Sequence, residues 1–346
     1  MRSRYLAGLV AASTVFALAA CGSTESPDSA TPAGGSGGSG GSEGGIKMAF
    51  VPQIIGIPYY AGFEAGAQRA AEEFGVEFTM TGPSTANSAE QLRIFESLVQ
   101  QEYDAITISP LDPTSINSAI AQARADGVVV TTSDADAADS ERQLFVSQAD
   151  DMELGYTVMD SLAEQMGNEG QFGIVSGAPD TASLDAWTKF ILERAETEYP
   201  DIEFVGGVRN ATDSEIALKE AQNLMTAFPD IKGIVAVPST AVPGVSQAVQ
   251  NADKAGEVAV IGYGSPKTAG PFIESGVMKE TVLWDVPELG YLTVWANTQL
   301  IEGKALGAEN DVPGIDRPIS YDDATKTLLL GPPKVFDESN YADFDF

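Results

Sequence analysis

The 346-residue chain has no histidine and only one cysteine, Cys21. Without imidazole there is no Ser-His-Asp or Cys-His arrangement and no histidine metal site. With one thiol there is no disulfide framework. Cationic side chains are scarce as well: 19 Lys and Arg stand against 50 Asp and Glu, a formal charge of −31. Nucleic acid needs a basic footprint, so it is not an expected partner. The acidity reads instead as a solvated surface. No Walker or dinucleotide glycine pattern follows an expected strand, and no carboxylate pair is singled out by its spacing as glycosidase machinery. The chain is therefore not expected to be an enzyme or to carry a cofactor.

The ends of the chain are more informative. Arg2 and Arg4 precede an apolar run from Tyr5 to Ala20, the charged and hydrophobic parts of a secretory signal, too short to be a lasting membrane span. The run closes in Leu18-Ala19-Ala20-Cys21, which resembles a lipobox, so Cys21 is expected to be lipidated and to become the mature N-terminus. Residues 21–45 are rich in Ser, Gly, Pro, Thr and Ala and have nothing to bury, as in a flexible tether. The protein is thus expected on the outer face of the cytoplasmic membrane, held by lipid.

Roughly 300 residues remain, more than one core usually organises. Short β-rich runs alternate with amphipathic helical patterns from Ile46 onward, which predicts an α/β fold of parallel sheets with helices on both faces. Strands are expected at Ile46 to Val51, Val76 to Met80, Asp104 to Ser109 and Val128 to Thr132, and the rhythm restarts near Leu144. Ser88-Ala-Glu-Gln91 reads as a capping box and Asp112-Pro113 as an N-cap followed by proline. Later strands are expected at Phe172 to Ser176, Ile202 to Val208, Ile234 to Val237, Val258 to Tyr263 and Lys279 to Trp284.

Open parallel sheets bind ligands beyond the carboxyl ends of their strands. The residues at those ends include Gln53, Tyr59, Tyr60, Asp134, Asn210, Ser239, Trp284 and Asp285. Amides, hydroxyls and carboxylates exchange hydrogen bonds with vicinal hydroxyls, and aromatic faces cover the C–H surface of a sugar, so the set points to a polyhydroxylated small molecule. Tyr59, Tyr60 and Trp284 read equally as core packing, and Asp134 also as a turn or helix cap. The run Asp134-Ala-Asp136-Ala-Ala-Asp139 resembles part of a calcium loop but lacks its glycine and terminal glutamate, so no metal is expected.

From Ile46 to Phe346 the chain resembles the type I periplasmic-binding-protein family, in the branch of rhamnose and autoinducer-2 receptors. The segments that carry the resemblance are Gln53-Ile-Ile-Gly-Ile-Pro-Tyr-Tyr60, Tyr103-Asp-Ala-Ile106, Phe228-Pro-Asp-Ile231 and Gly262-Tyr-Gly-Ser-Pro266. To these are added Val282-Leu-Trp-Asp285 with Leu289-Gly-Tyr291, and Val335-Phe-Asp-Glu-Ser-Asn340 with Phe344-Asp-Phe346. The resemblance implies two doubly wound lobes joined by three chain crossings, near Gln148, Asp285 and Gly314. Residues 46–148 with 286–313 would form one lobe, and 149–285 with 314–346 the other. It implies a monomeric receptor that closes on its ligand and is read by the permease of an ABC importer, with a signalling membrane protein as the alternative reader. Where autoinducer-2 receptors have a lysine, an acid and an amide, this chain has Gln53, Ser183 and Leu184, and the residues matching two small ones are Val237 and Ser239. The acid at Asp134 is kept. That pattern favours rhamnose or a similar small sugar or polyol over autoinducer-2, with Asp185 and Trp187 as further contacts.

Overall fold

The computed structural model describes residues 45–346 other than Asp180; the expected signal, Cys21 and the tether up to residue 44 lie outside the described residues. The chain begins with β1 (Lys47–Val51), α1 (Pro58–Phe74), β2 (Glu77–Met80), α2 (Ser88–Gln100), β3 (Ala105–Ile108), α3 (Asn117–Ala125), β4 (Val129–Ser133) and β5 (Leu144–Ser147). All five strands are parallel, in the order β5-β4-β3-β1-β2. Alternation along β1 shows why helices cover both faces. Met48 and Phe50 enter a core with Phe63 and Ala67 of α1, whereas Ala49 and Val51 enter another with Phe95 and Leu98 of α2.

A second α/β unit follows: α4 (Asp151–Met166), β6 (Gly170–Ser176), α5 (Ala182–Glu198), β7 (Ile202–Asn210), α6 (Ser214–Ala227), β8 (Ile231–Ala236), α7 (Val242–Asn251), β9 (Ala259–Gly262), α8 (Pro266–Glu274) and β10 (Glu280–Leu283). Its parallel sheet runs β7-β6-β8-β9. Phe172 and Ile174 pack on the same side as Leu154 and Val158 of α4, and Ile234 and Ala236 pack on the other with Leu224 of α6 and Val245 of α7.

The chain then returns to the first unit. Helix α9 (Val286–Ile301) packs along α1 so closely that two positions have to be glycine: a Cβ on Gly66 would lie 1.7 Å from the Pro287 carbonyl oxygen, and one on Gly290 2.0 Å from that of Phe63. Over the sheet, Thr293 and Asn297 of α9 meet a buried polar row. Thr107 Oγ1 lies 2.7 Å from Thr131 Oγ1, Asn297 Nδ2 donates to Thr107 at 2.8 Å, and Ser133 Oγ lies 3.0 Å from Thr293 Oγ1. These satisfied pairs tie β3 and β4 to α9 just behind the strand ends where the site forms.

Three local expectations are corrected. The third crossing, expected near Gly314, comes later, and residues 314–329 stay with the first lobe. After β11 (Glu309–Asn310), β12 (Ile319–Asp322) and β13 (Thr327–Leu329) extend the first sheet, β13 pairing in parallel with β5. The open edge of β5 supplies backbone partners, and Ile319 and Leu328 are fully buried there. Only then does the chain reach β14 (Lys334–Asp337), antiparallel to β10. The cap of α2 is Asn87, which accepts from the Glu90 N–H at 3.0 Å; Gln91 of the expected capping box turns into the core. Asp112 accepts from the Thr114 and Ser115 N–H groups within a turn, and regular α3 starts only at Asn117.

Candidate ligand-binding cleft

Asp134, the first residue after β4, organises the first-lobe wall. Its Oδ1 accepts from Tyr59 OH at 2.6 Å, and its Oδ2 from Tyr60 OH at 3.0 Å and Ser109 Oγ at 3.2 Å. Its backbone is left-handed, φ 71°, a conformation that Asp tolerates better than most residues yet that still stores strain. Burial raises the Asp134 pKa, and the three hydroxyl bonds oppose the rise. Burial, and then the Asp134 charge, push the Tyr59 and Tyr60 hydroxyls well above the ordinary tyrosine value, so both remain donors. Gln91 braces the loops: its Nε2 donates to the Pro52 and Ser109 carbonyls at 3.0 and 2.7 Å, and its Oε1 accepts from the Leu111 N–H.

The opposite wall is built from α4, α5 and the end of β9. Trp187 packs on Tyr263 with ring centroids 4.7 Å apart and donates its indole N–H to Asp151 at 2.7 Å. Tyr263 is 1% exposed, and its hydroxyl has no hydrogen-bond partner among the described residues. Burial, reinforced by Asp151, keeps that hydroxyl protonated. Trp284, beyond β10, joins the walls. Its indole N–H donates to Tyr59 OH at 3.2 Å, and its ring meets Tyr59 and Trp187 edge-on.

Between the walls lies a cavity of about 200 Å³ lined by Gln53, Ile54, Ile57, Tyr59, Tyr60, Asp134, Ser183, Leu184, Trp187, Ser239, Tyr263 and Trp284, among others. It is smaller than the roughly 300 Å³ at which pockets for drug-sized ligands begin. A larger cavity of about 730 Å³ adjoins it and shares Gln53, Asp134, Ala135, Thr181 and Ser183. Donors, acceptors and aromatic faces thus converge on a small space at the strand ends, which is the equipment to hold a polar molecule with apolar C–H faces.

Seven of the ten residues expected at the site line this cavity: Gln53, Tyr59, Tyr60, Asp134, Trp187, Ser239 and Trp284. Three do not. Asp185 sits exposed in the first turn of α5, where helical geometry points it away from the face carrying Trp187. Asn210 is exposed at the end of β7, an edge strand of the second sheet. Asp285 caps α9, accepting from the Glu288 N–H at 3.1 Å, and pairs with Lys334 at 3.2 Å. Tyr263 and Asp151 were not singled out from sequence; the one follows a strand end and the other opens a helix, the one signal that could have found them. Asp136, in the calcium-like run, is held by Arg142 at 2.5 and 2.6 Å, and no group of three or more metal-ligating side chains occurs among the described residues.

These features coincide with a known family. The sequence profile of the periplasmic binding protein domain matches residues 48–305, and the chain belongs to that family. The D-allose-binding periplasmic protein of Escherichia coli K12 is 27% identical over 253 residues, 70% of this chain and 81% of that protein. A sugar ABC transporter structure from Actinomyces odontolyticus is 29% identical with a TM-score of 0.75, covering 87% of this chain and 98% of that one. An ABC transporter solute-binding protein from Clostridium phytofermentas with bound L-rhamnose reaches a TM-score of 0.78 at 23% identity, with the same coverage, and shares the fold. Among the described residues no helix is long and apolar enough to cross a membrane.

Proposed function

We propose that this protein is the solute-binding lipoprotein of an ABC importer, anchored through Cys21 outside the cytoplasmic membrane, which takes up a small sugar or polyol between its lobes and delivers it to the permease. The observation that carries the reading is the cavity itself, where Asp134 with its tyrosine hydroxyls and the side chains of Trp187, Tyr263 and Trp284 share one lining, the Tyr263 hydroxyl being buried without a partner among the described residues. Vicinal hydroxyls satisfy such groups in pairs, and the rings cover the C–H faces between them. The names of the relatives point the same way, to pentoses, hexoses and deoxy-sugars.

Mechanism follows from a ligand that touches both walls. It has contacts in the closed cleft that it lacks in the open one, so binding shifts the population toward closure. The permease would read the closed shape, and no bond in the sugar changes. A monomer suffices.

The test is a thermal-shift screen of the purified protein against L-rhamnose, L-fucose, D-ribose, D-xylose, D-allose, xylitol and autoinducer-2. A ligand at about 100 times its Kd adds roughly 2.7 kcal/mol of stability. A shift with one sugar or polyol is the expected result; a shift with autoinducer-2 alone would make the protein a signal receptor, and silence across the panel would reject these monosaccharides and polyols as ligands. Mass spectrometry of membrane-extracted protein should find diacylglycerol on Cys21.

A further inference from the structure

The larger of the two cavities carries recognition chemistry that a single ring in the aromatic box does not use. Gln148, just after β5, lines it and is 3% exposed, and its side-chain carbonyl oxygen is buried without a hydrogen-bond partner among the described residues. A buried acceptor with no protein partner is uncommon in a folded protein and is satisfied by a donor arriving from outside. Asp151 stands beside it. One of its oxygens holds the Trp187 indole at 2.7 Å and the other makes no hydrogen bond among the described residues. Met152, one of only three large apolar side chains left exposed among the described residues, lines the same cavity, as does Phe190.

The other acids there are committed, Asp134 to three hydroxyls, Asp136 to Arg142, Asp150 to the N-terminus of α4 and Asp322 to the Ala324 N–H and the Thr325 hydroxyl, so the cavity is not a cation site. What it offers is acceptors for hydroxyl donors next to apolar surface, the same mixture that the smaller box offers. The box of about 200 Å³ suits one ring, and the adjoining 730 Å³ has room for another.

Building on the sugar-receptor reading above, we infer that the preferred ligand is a disaccharide: one ring occupies the aromatic box, and the second donates hydroxyls to Gln148 and Asp151. Titration calorimetry of the purified protein with matched pairs tests this: L-rhamnose and its glucose disaccharide rutinose, D-glucose and cellobiose, D-xylose and xylobiose. In the pair that binds, the disaccharide should bind about tenfold tighter, the effect of one or two added hydrogen bonds. Gln148→Leu should bring the affinity ratio of disaccharide to monosaccharide toward one, while the melting temperature of the empty protein holds or rises because an unpaired buried acceptor is removed. Asp151→Asn, which keeps an acceptor for Trp187, should lower the ratio in the same direction. Equal or tighter binding of the monosaccharide, or a Gln148→Leu effect equal on both members, would overturn the inference and leave the receptor reading intact. Failure of every sugar to bind would overturn both.

Discussion

On the first-lobe wall of the cleft, Asp134 receives three hydroxyl hydrogen bonds between 2.6 and 3.2 Å, while on the second-lobe wall the Tyr263 hydroxyl has none and Asp151 is half engaged. Both walls use the same materials, an acid next to aromatic rings at strand or helix ends. The difference is in what remains to be satisfied. The first wall is organised before any ligand arrives, so it can orient a sugar without rearranging. The second holds buried polar groups at a cost that a ligand removes, and this differential favours the closed, occupied state.

The contrast is broken most severely by Asp134→Ala. It should weaken sugar binding by more than about tenfold and also destabilise the empty protein by ~1–3 kcal/mol, because Tyr59, Tyr60 and Ser109 lose their acceptor. Calorimetric titration and thermal melting measure the two effects. Acid sharpens the point. The folded Asp134 pKa lies above the ordinary 3.8, so the folded state binds the extra proton, and this group's contribution to stability falls as pH rises from about that value through the raised pKa. Sugar affinity, which needs the ionised acceptor, should fall as pH drops through the same window, and Asp134→Asn should flatten that fall.

Tyr263→Phe is expected to have the next largest effect, with the opposite sign for stability. Removing an unpaired buried hydroxyl should leave the empty protein as stable or up to about 1 kcal/mol more so, while affinity drops severalfold. Asp285→Ala should cost about 1 kcal/mol of stability through loss of the α9 cap, with affinity changed little. The smallest effects belong to Asp185→Ala and Asn210→Ala, exposed outside the cavity, each within about 0.5 kcal/mol in stability and silent in binding.

The alternation of strand and helix was legible because apolar periodicity is local, and the rule that ligands gather at strand ends then located Asp134, Tyr59, Tyr60 and Trp284. Asp285 obeyed the same rule and turned out to be a cap, since an acid between a strand and a helix suits either role and only the partners decide. The sequence marked Tyr263 only by its place after a strand, and could not show that it and Gln148 hold buried polar atoms without a partner, because a missing partner exists only in three dimensions. The return of β12 and β13 to the first sheet was likewise hidden. Short strands of three or four residues carry little periodic signal, and which edge they join is settled by distant backbone groups.

The most direct test of this two-walled account is a crystal structure of the protein with the sugar that gives the largest thermal shift. The account predicts a sugar ring in the cavity lined by Trp187 and Trp284, with a ligand oxygen within about 3 Å of the Tyr263 hydroxyl and a second hydroxyl bonded at Asp134. A ligand seated elsewhere, or one that leaves the Tyr263 hydroxyl unpaired, would contradict it.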